Sequence, residues 1–208
     1  MKRRDMLRGA VLSAPLAAGV LSAGPAVAQA PELRSAGDLL GFALGLKYIQ
    51  AEFYRQGNAK ALLSGREADY LNQIGYQKQQ HVAALTTAIT ASGGSPPVAP
   101  ALDFKEAFAS RESYLGTGIT IEDCVLSAYV GMPVEPTWNS GSASEMSAIF
   151  SVDSRAAAVL NVLAARPIEG GVYYGGSVAA LDHGEVVAAL QPYVTGPWSM
   201  AGTAGVTG

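Results

Sequence analysis

Apolar residues recur at intervals of three and four along two long stretches of this chain, and that spacing commits both to helices. Leu71, Ile74, Lys78, His81, Leu85 and Ala88 follow one another at 3, 4, 3, 4 and 3 positions. Met146, Ile149, Asp153, Ala156, Leu160 and Leu163 repeat the same rhythm. This is the period of one face of an α-helix, not the alternation of a strand. Each stripe also carries a charged side chain where a hydrophobe belongs.

Two further stretches complete the set. The first spans about 37 to 56, with Leu40, Ala43, Leu44, Ala51 and Tyr54 on one face and Phe42, Leu46, Ile49 and Phe53 widening it. Gly57 and Asn58 are predicted to end it. The second helix runs from about 66 to 91 and stops at Gly93, Gly94, Pro96, Pro97 and Pro100. The third covers about 104 to 130, in two pieces because Gly116 and Gly118 weaken its middle. The fourth covers about 143 to 165, capped by Ser142 or Ser144 and ended by Pro167. A short turn over 183–190, with Asp182 as its cap, precedes a Gly-rich end predicted to be loose. Four helices of about twenty residues predict an all-α fold, an antiparallel four-helix bundle over 31–170 with a C-terminal extension over 171–208.

Residues 1–30 read differently. Arg3 and Arg4 are followed by Asp5, Met6, Leu7 and basic Arg8, then a mild Ala-, Gly- and Leu-rich stretch from Gly9 to Gly24. The pattern resembles a twin-arginine secretion signal, with cleavage expected before Gln29. That route exports folded proteins, which places this one in the periplasm or outside the cell. The whole chain has a formal charge of −3, and the leader is basic, so the remainder stands near −6. An acidic surface without basic runs argues against nucleic acid or anionic membrane as partner. No later segment reads as a membrane span. Cys124 is the one cysteine, so no internal disulfide can form, and it reads as a small buried hydrophobe.

The interrupted stripes hold the functional information. Lys78 and His81 sit mid-stripe on the second helix, Glu122 on the third, Asp153 on the fourth, and Lys47 shares a face with Leu40, Leu44 and Tyr54 on the first. If these faces meet, five polar groups converge, and buried ions must pair or bind something. Glu52 lies about 140° around the helix from Lys47 and is expected to point elsewhere. His183, within Asp-His-Gly-Glu, reads as turn and cap.

The segment Leu46-Lys47-Tyr48-Ile49-Gln50-Ala51-Glu52-Phe53-Tyr54 resembles the first-helix signature of ferritin-like domain proteins of the desiccation-related branch, Leu-Glu-Tyr-Leu-Glu-Ala-x-Phe-Tyr. Lys78 to His81 is similar to that family's Glu-x-x-His. Glu122 through Gly131, ending Ala-Tyr-Val-Gly, is similar to its third helix. Val152-Asp153-Ser154-Arg155-Ala156 falls where it has Val-Glu-x-x-His. The resemblance implies a two-metal carboxylate centre, and the departures imply that the centre is degenerate. Lysines stand at 47 and 78, Asp153 is a shortened carboxylate, and Ala156 replaces an imidazole.

Charge then discriminates. Lys47 and Lys78 against Glu122 and Asp153 sum to zero without metal, and two ammonium groups repel divalent cations. The reading that follows is a buried Lys–carboxylate–His network with no cofactor and no catalytic residue. The protein is then an exported structural or binding module, an envelope-stress or assembly subunit partnered by itself or by another exported protein. A metal-binding protein or metal-dependent oxidoreductase using His81, Glu122 and Asp153 is the alternative. A small-molecule cavity lined by Tyr54, Tyr129 and Ala156 is the third.

Overall fold

Ser35 begins the first helix with a reciprocal cap: its hydroxyl accepts from the Asp38 N–H at 3.1 Å, and the Asp38 carboxylate accepts from the Ser35 N–H at 3.0 Å. The computed structural model describes residues 33, 35–132, 140–167 and 178–196. The expected secretion signal, its cleavage site and the end of the Gly-rich tail lie outside the described residues.

Helix α1 spans Ala36–Ala59 and α2 spans Gly65–Ala91. The short 60–64 connection makes them antiparallel neighbours. The chain then takes a long path through 92–110, including a 3-10 turn over Lys105–Phe108, before α3 at Arg111–Gly131. Helix α4 spans Ser140–Leu163, and a short α5 spans His183–Leu190. Helix α1 packs on α2, α3 on α4, α1 on α3, and α2 on α4. Two helical hairpins joined by one long crossover form a four-helix bundle. Among the described residues the only β feature is an isolated bridge between Leu102 and Val194.

Helix α1 is buried around most of its girth, through Leu39, Leu40, Phe42, Leu44, Leu46, Ile49, Phe53 and Tyr54. Helix α2 is amphipathic: Leu71, Ile74, Lys78, His81 and Leu85 face inward, and Ile89, not Ala88, fills the last place. Four residues on from Leu85, Ile89 stays on the inner face of a 3.6-residue period.

Three boundaries differ from expectation, each for a local reason. Gly57 does not end α1. A Cβ there would lie 2.3 Å from the Tyr114 ring, so the glycine lets that ring pack against the helix backbone. The Tyr114 hydroxyl donates to Asn58 at 2.8 Å, and the chain turns instead at Ala61, with φ of 51°.

The third helical region does break in two, but at Ser110 and not at its glycines. Lys105 has φ of 50°, and Ser110 caps α3 reciprocally with Ser113. Gly118 is retained inside α3 because Leu160 and Phe53 come within 3.3 Å of where its Cβ would be. Helix α4 begins at Ser140, so Ser142 and Ser144 lie within it and do not precede it.

Helix α4 also corrects the reading of membrane spans. Ser144–Leu163 is long and apolar enough to cross a bilayer by length and composition alone. In the bundle it packs on α3 and carries Asp153 into the core, with about a third of the span buried.

The described part of the C-terminal extension is docked. Asp182 caps α5 reciprocally with Glu185, and Val186 and Leu190 are buried against α3. The His183 ring meets Phe42 edge-on at 4.6 Å between centroids. The Leu181 N–H donates to the Ser127 carbonyl at 3.1 Å, while Tyr193 and Thr195 hydrogen-bond through their backbones to Asp103 and Ala101.

Candidate functional site

Each long helix delivers polar groups to one level of the bundle. Helix α1 contributes Lys47, Gln50 and Tyr54, spaced three and four apart on its inner face. Helix α2 contributes Lys78 and His81, α3 contributes Glu122 and Tyr129, and α4 contributes Asp153. Lys47, Gln50, Lys78, Glu122 and Asp153 are fully buried, and His81 is 9 % exposed. The five residues singled out in the sequence therefore meet in one place.

The hydrogen bonds form a closed pattern. The Lys47 ammonium donates to the Asp153 Oδ2 and Gln50 Oε1 atoms. The Lys78 ammonium donates to Asp153 Oδ1 at 2.7 Å and to Glu122 Oε2 at 2.8 Å. Gln50 Nε2 donates to Glu122 Oε2 at 2.8 Å, and the Tyr54 hydroxyl donates to Glu122 Oε1 at 2.7 Å. Each carboxylate oxygen is thus occupied. The ammonium groups also lie over aromatic faces, Lys47 at 5.2 Å from the Tyr129 centroid and Lys78 at 6.0 Å from that of Tyr54.

Two atoms stand apart. His81 Nδ1 lies 3.6 Å from Asp153 Oδ1, too far for a hydrogen bond, and is buried without a partner. The Tyr129 hydroxyl is likewise buried without a hydrogen-bond partner, near the Asp153 charge.

Electrostatics separates the two lysines. Burial pulls the Lys47 ammonium down to about 8, against the attraction of Asp153. Burial acts on Lys78 too, but Glu122 and Asp153 together outweigh it and hold its pKa above the ordinary lysine value. Lys78 touches two carboxylates, whereas Lys47 touches one and feels the repulsion of Lys78. Burial likewise opposes the Asp153 carboxylate, but Lys47 and Lys78 win and keep it below the usual range. Burial dominates at Glu122, which is raised despite Lys78. His81 falls to about 4 through burial and the nearby Lys47 charge, so its imidazole is neutral at pH 7.

The donor set does not suit a pair of divalent metals. Such a centre in a helical bundle uses a Glu from each of two helices and Glu-x-x-His from the other two. Here an ammonium nitrogen, with no free lone pair, bridges the two carboxylates. Among the described residues, no three His, Cys, Asp or Glu side chains converge as a metal site.

Other sequence-predicted residues fall elsewhere. Glu52 is at the surface, paired with Arg55 at 2.6 Å. A groove of about 250 Å³ lies beside that pair, lined by Tyr48, Val82, Pro100 and Leu102; Tyr54, Tyr129 and Ala156 do not line it. Lys78 lies over the Tyr54 ring and Lys47 over the Tyr129 ring. Cys124 is buried, and burial first, then Asp123, pushes its thiol up to about 11. Gln50 is the cluster member that sequence reasoning passed over. Its signal was present: it lies one turn from Lys47, where the family signature carries a second Glu.

A crossover four-helix bundle whose four inner faces deliver polar groups to one level defines the ferritin-like class of architecture. The model of the ferritin-like domain matches residues 35–166, and the chain belongs to that family. Comparison with curated proteins gives no match.

Proposed function

We propose that this protein is an exported ferritin-like module in which a lysine–carboxylate network takes the place of the two-metal centre. Its role is then structural or binding, as a subunit of an envelope assembly or stress response, with no cofactor and no catalytic residue assigned. The observation that carries this reading is the position of Lys78 Nζ, 2.8 Å from Glu122 and 2.7 Å from Asp153, where a bridging cation would be bound. The twin-arginine pattern at Arg3 and Arg4 supports export of the folded chain. A partner would be a second copy or another exported protein.

Direct titration tests the reading. Iron(II) or zinc(II) added to the purified protein should show no saturable high-affinity binding. The Lys47→Glu/Lys78→Glu double variant should acquire it, because it restores two carboxylates beside His81. Tight binding by the unmodified protein would overturn the reading.

The unpartnered Nδ1 of His81 favours a second reading, a single metal held by His81, Glu122 and Asp153 in a metal-binding protein or oxidoreductase. Lys78 opposes it by repulsion. The same titration, repeated with His81→Gln, distinguishes the two.

A further inference from the structure

We propose that Lys47 and Asp153 form a covalent modification site, at which the two side chains condense into an isopeptide bond that ties α1 to α4. The inference deepens the metal-free reading and rests on it. The two groups are in direct contact, both fully buried, and 106 positions apart in the chain.

In water an amine and a carboxylic acid do not condense, because both are ionised and solvent drives hydrolysis. Burial changes both conditions. It penalises the Lys47 ammonium, so that Nζ gives up its proton to Oδ2 more readily than in water, against the pull of Lys78 on the Asp153 carboxylate. It also fixes the reacting atoms side by side and excludes bulk water. The third requirement is an electrophilic carbonyl. Lys78 Nζ, 2.7 Å from Asp153 Oδ1, places a positive charge where the tetrahedral intermediate develops its oxyanion. Lys78 is here a positioning and charge-stabilising residue.

The step balances without any co-reactant. The Lys47 nitrogen attacks Asp153 Cγ, and an N–C bond forms. Two of the three ammonium protons pass to Oδ2, the Cγ–Oδ2 bond breaks, and one water leaves on the side of His81, the least buried of the five site residues singled out in the sequence. The third proton remains on the amide nitrogen, where Gln50 Oε1 can accept it.

Lys47 and not Lys78 is the nucleophile by geometry. Lys47 touches a single carboxylate, whereas Lys78 is shared between two. The product core stays neutral, since Lys78 and Glu122 remain paired at 2.8 Å. A chain whose single cysteine forbids a disulfide thereby gains a staple between its first and fourth helices, closing a long loop in the unfolded state.

Intact-mass spectrometry of the full chain, purified and denatured, tests this. With the N-terminus assigned from its terminal peptide, the expected mass is one water below that of the sequence. Trypsin should leave Lys47 uncut and release a branched peptide containing Lys47 and Asp153. Lys47→Arg keeps a cation against Asp153 but cannot form this amide, and its mass should match its sequence. An unshifted wild-type mass with cleavage after Lys47 overturns the proposal, as does a water loss mapped to other residues. The wild-type measurement stands even if the variant fails to fold. An unshifted mass in a protein that binds no metal sinks the cross-link alone; an unshifted mass with tight metal binding sinks both readings.

Discussion

Lys78 and Asp153, 75 positions apart on α2 and α4, meet at 2.7 Å in the centre of the bundle, with both side chains wholly removed from solvent. The ammonium also holds Glu122, so one lysine sets the spacing of two carboxylates that would otherwise repel. A buried pair of this kind is weak evidence for stability, but breaking it is costly, because the orphaned charge stays in the core.

Lys78→Met should therefore leave Glu122 in the core without a cation, while Asp153 keeps Lys47. The expected loss is about 3–5 kcal/mol in unfolding free energy. Urea unfolding followed by circular dichroism measures it, and a variant within error of wild type would show the pair to be dispensable.

Acid should act through His81. Its folded-state pKa of about 4 lies below the ordinary value of 6.5, so the unfolded chain binds the proton more readily. The stability this group contributes is full above pH 6.5 and is lost as pH falls from 6.5 to 4. His81→Gln should flatten stability against pH across that window. Denaturation midpoints at half-unit pH steps check it, and an unchanged slope would contradict it.

The helices were legible because their stripes keep a 3.6-residue period, and the cluster was legible because Lys78, His81 and Asp153 interrupt those stripes. Glu122 on the third helix, and Lys47 on the face of Leu40, Leu44 and Tyr54, stood out less sharply, since α1 and α3 are buried around most of their girth. What remained hidden depends on contacts distant in sequence. Gly57 looks like a helix terminator until Tyr114 is seen against it, and Gly118 looks like a break until Leu160 and Phe53 fill its side. Gln50 was hidden for a different reason: an uncharged side chain does not stand out in an otherwise apolar face.

The docking of the C-terminal extension hangs on Gly131. A Cβ there would fall 2.0 Å from the Leu181 carbonyl oxygen, and backbone cannot yield as a flexible side chain does. Gly131→Ala should displace the 178–190 segment from α3, at about 1–3 kcal/mol, the usual range for overpacking. Limited proteolysis should cut the variant near Leu181 faster than wild type; equal rates would show that the segment is held by other contacts.

Cys124 should behave as an inert core residue. Burial and Asp123 push its thiol to about 11, so almost no thiolate exists at pH 7. An aromatic disulfide reagent should label it only after addition of denaturant, and rapid labelling of the native protein would contradict its placement.

The central claim is that ammonium groups do the work of metal ions in this core. Elemental analysis of the purified protein, after dialysis against metal-free buffer, tests it most directly. The account predicts iron, manganese and zinc far below one atom per chain. One or two retained atoms per chain would contradict it.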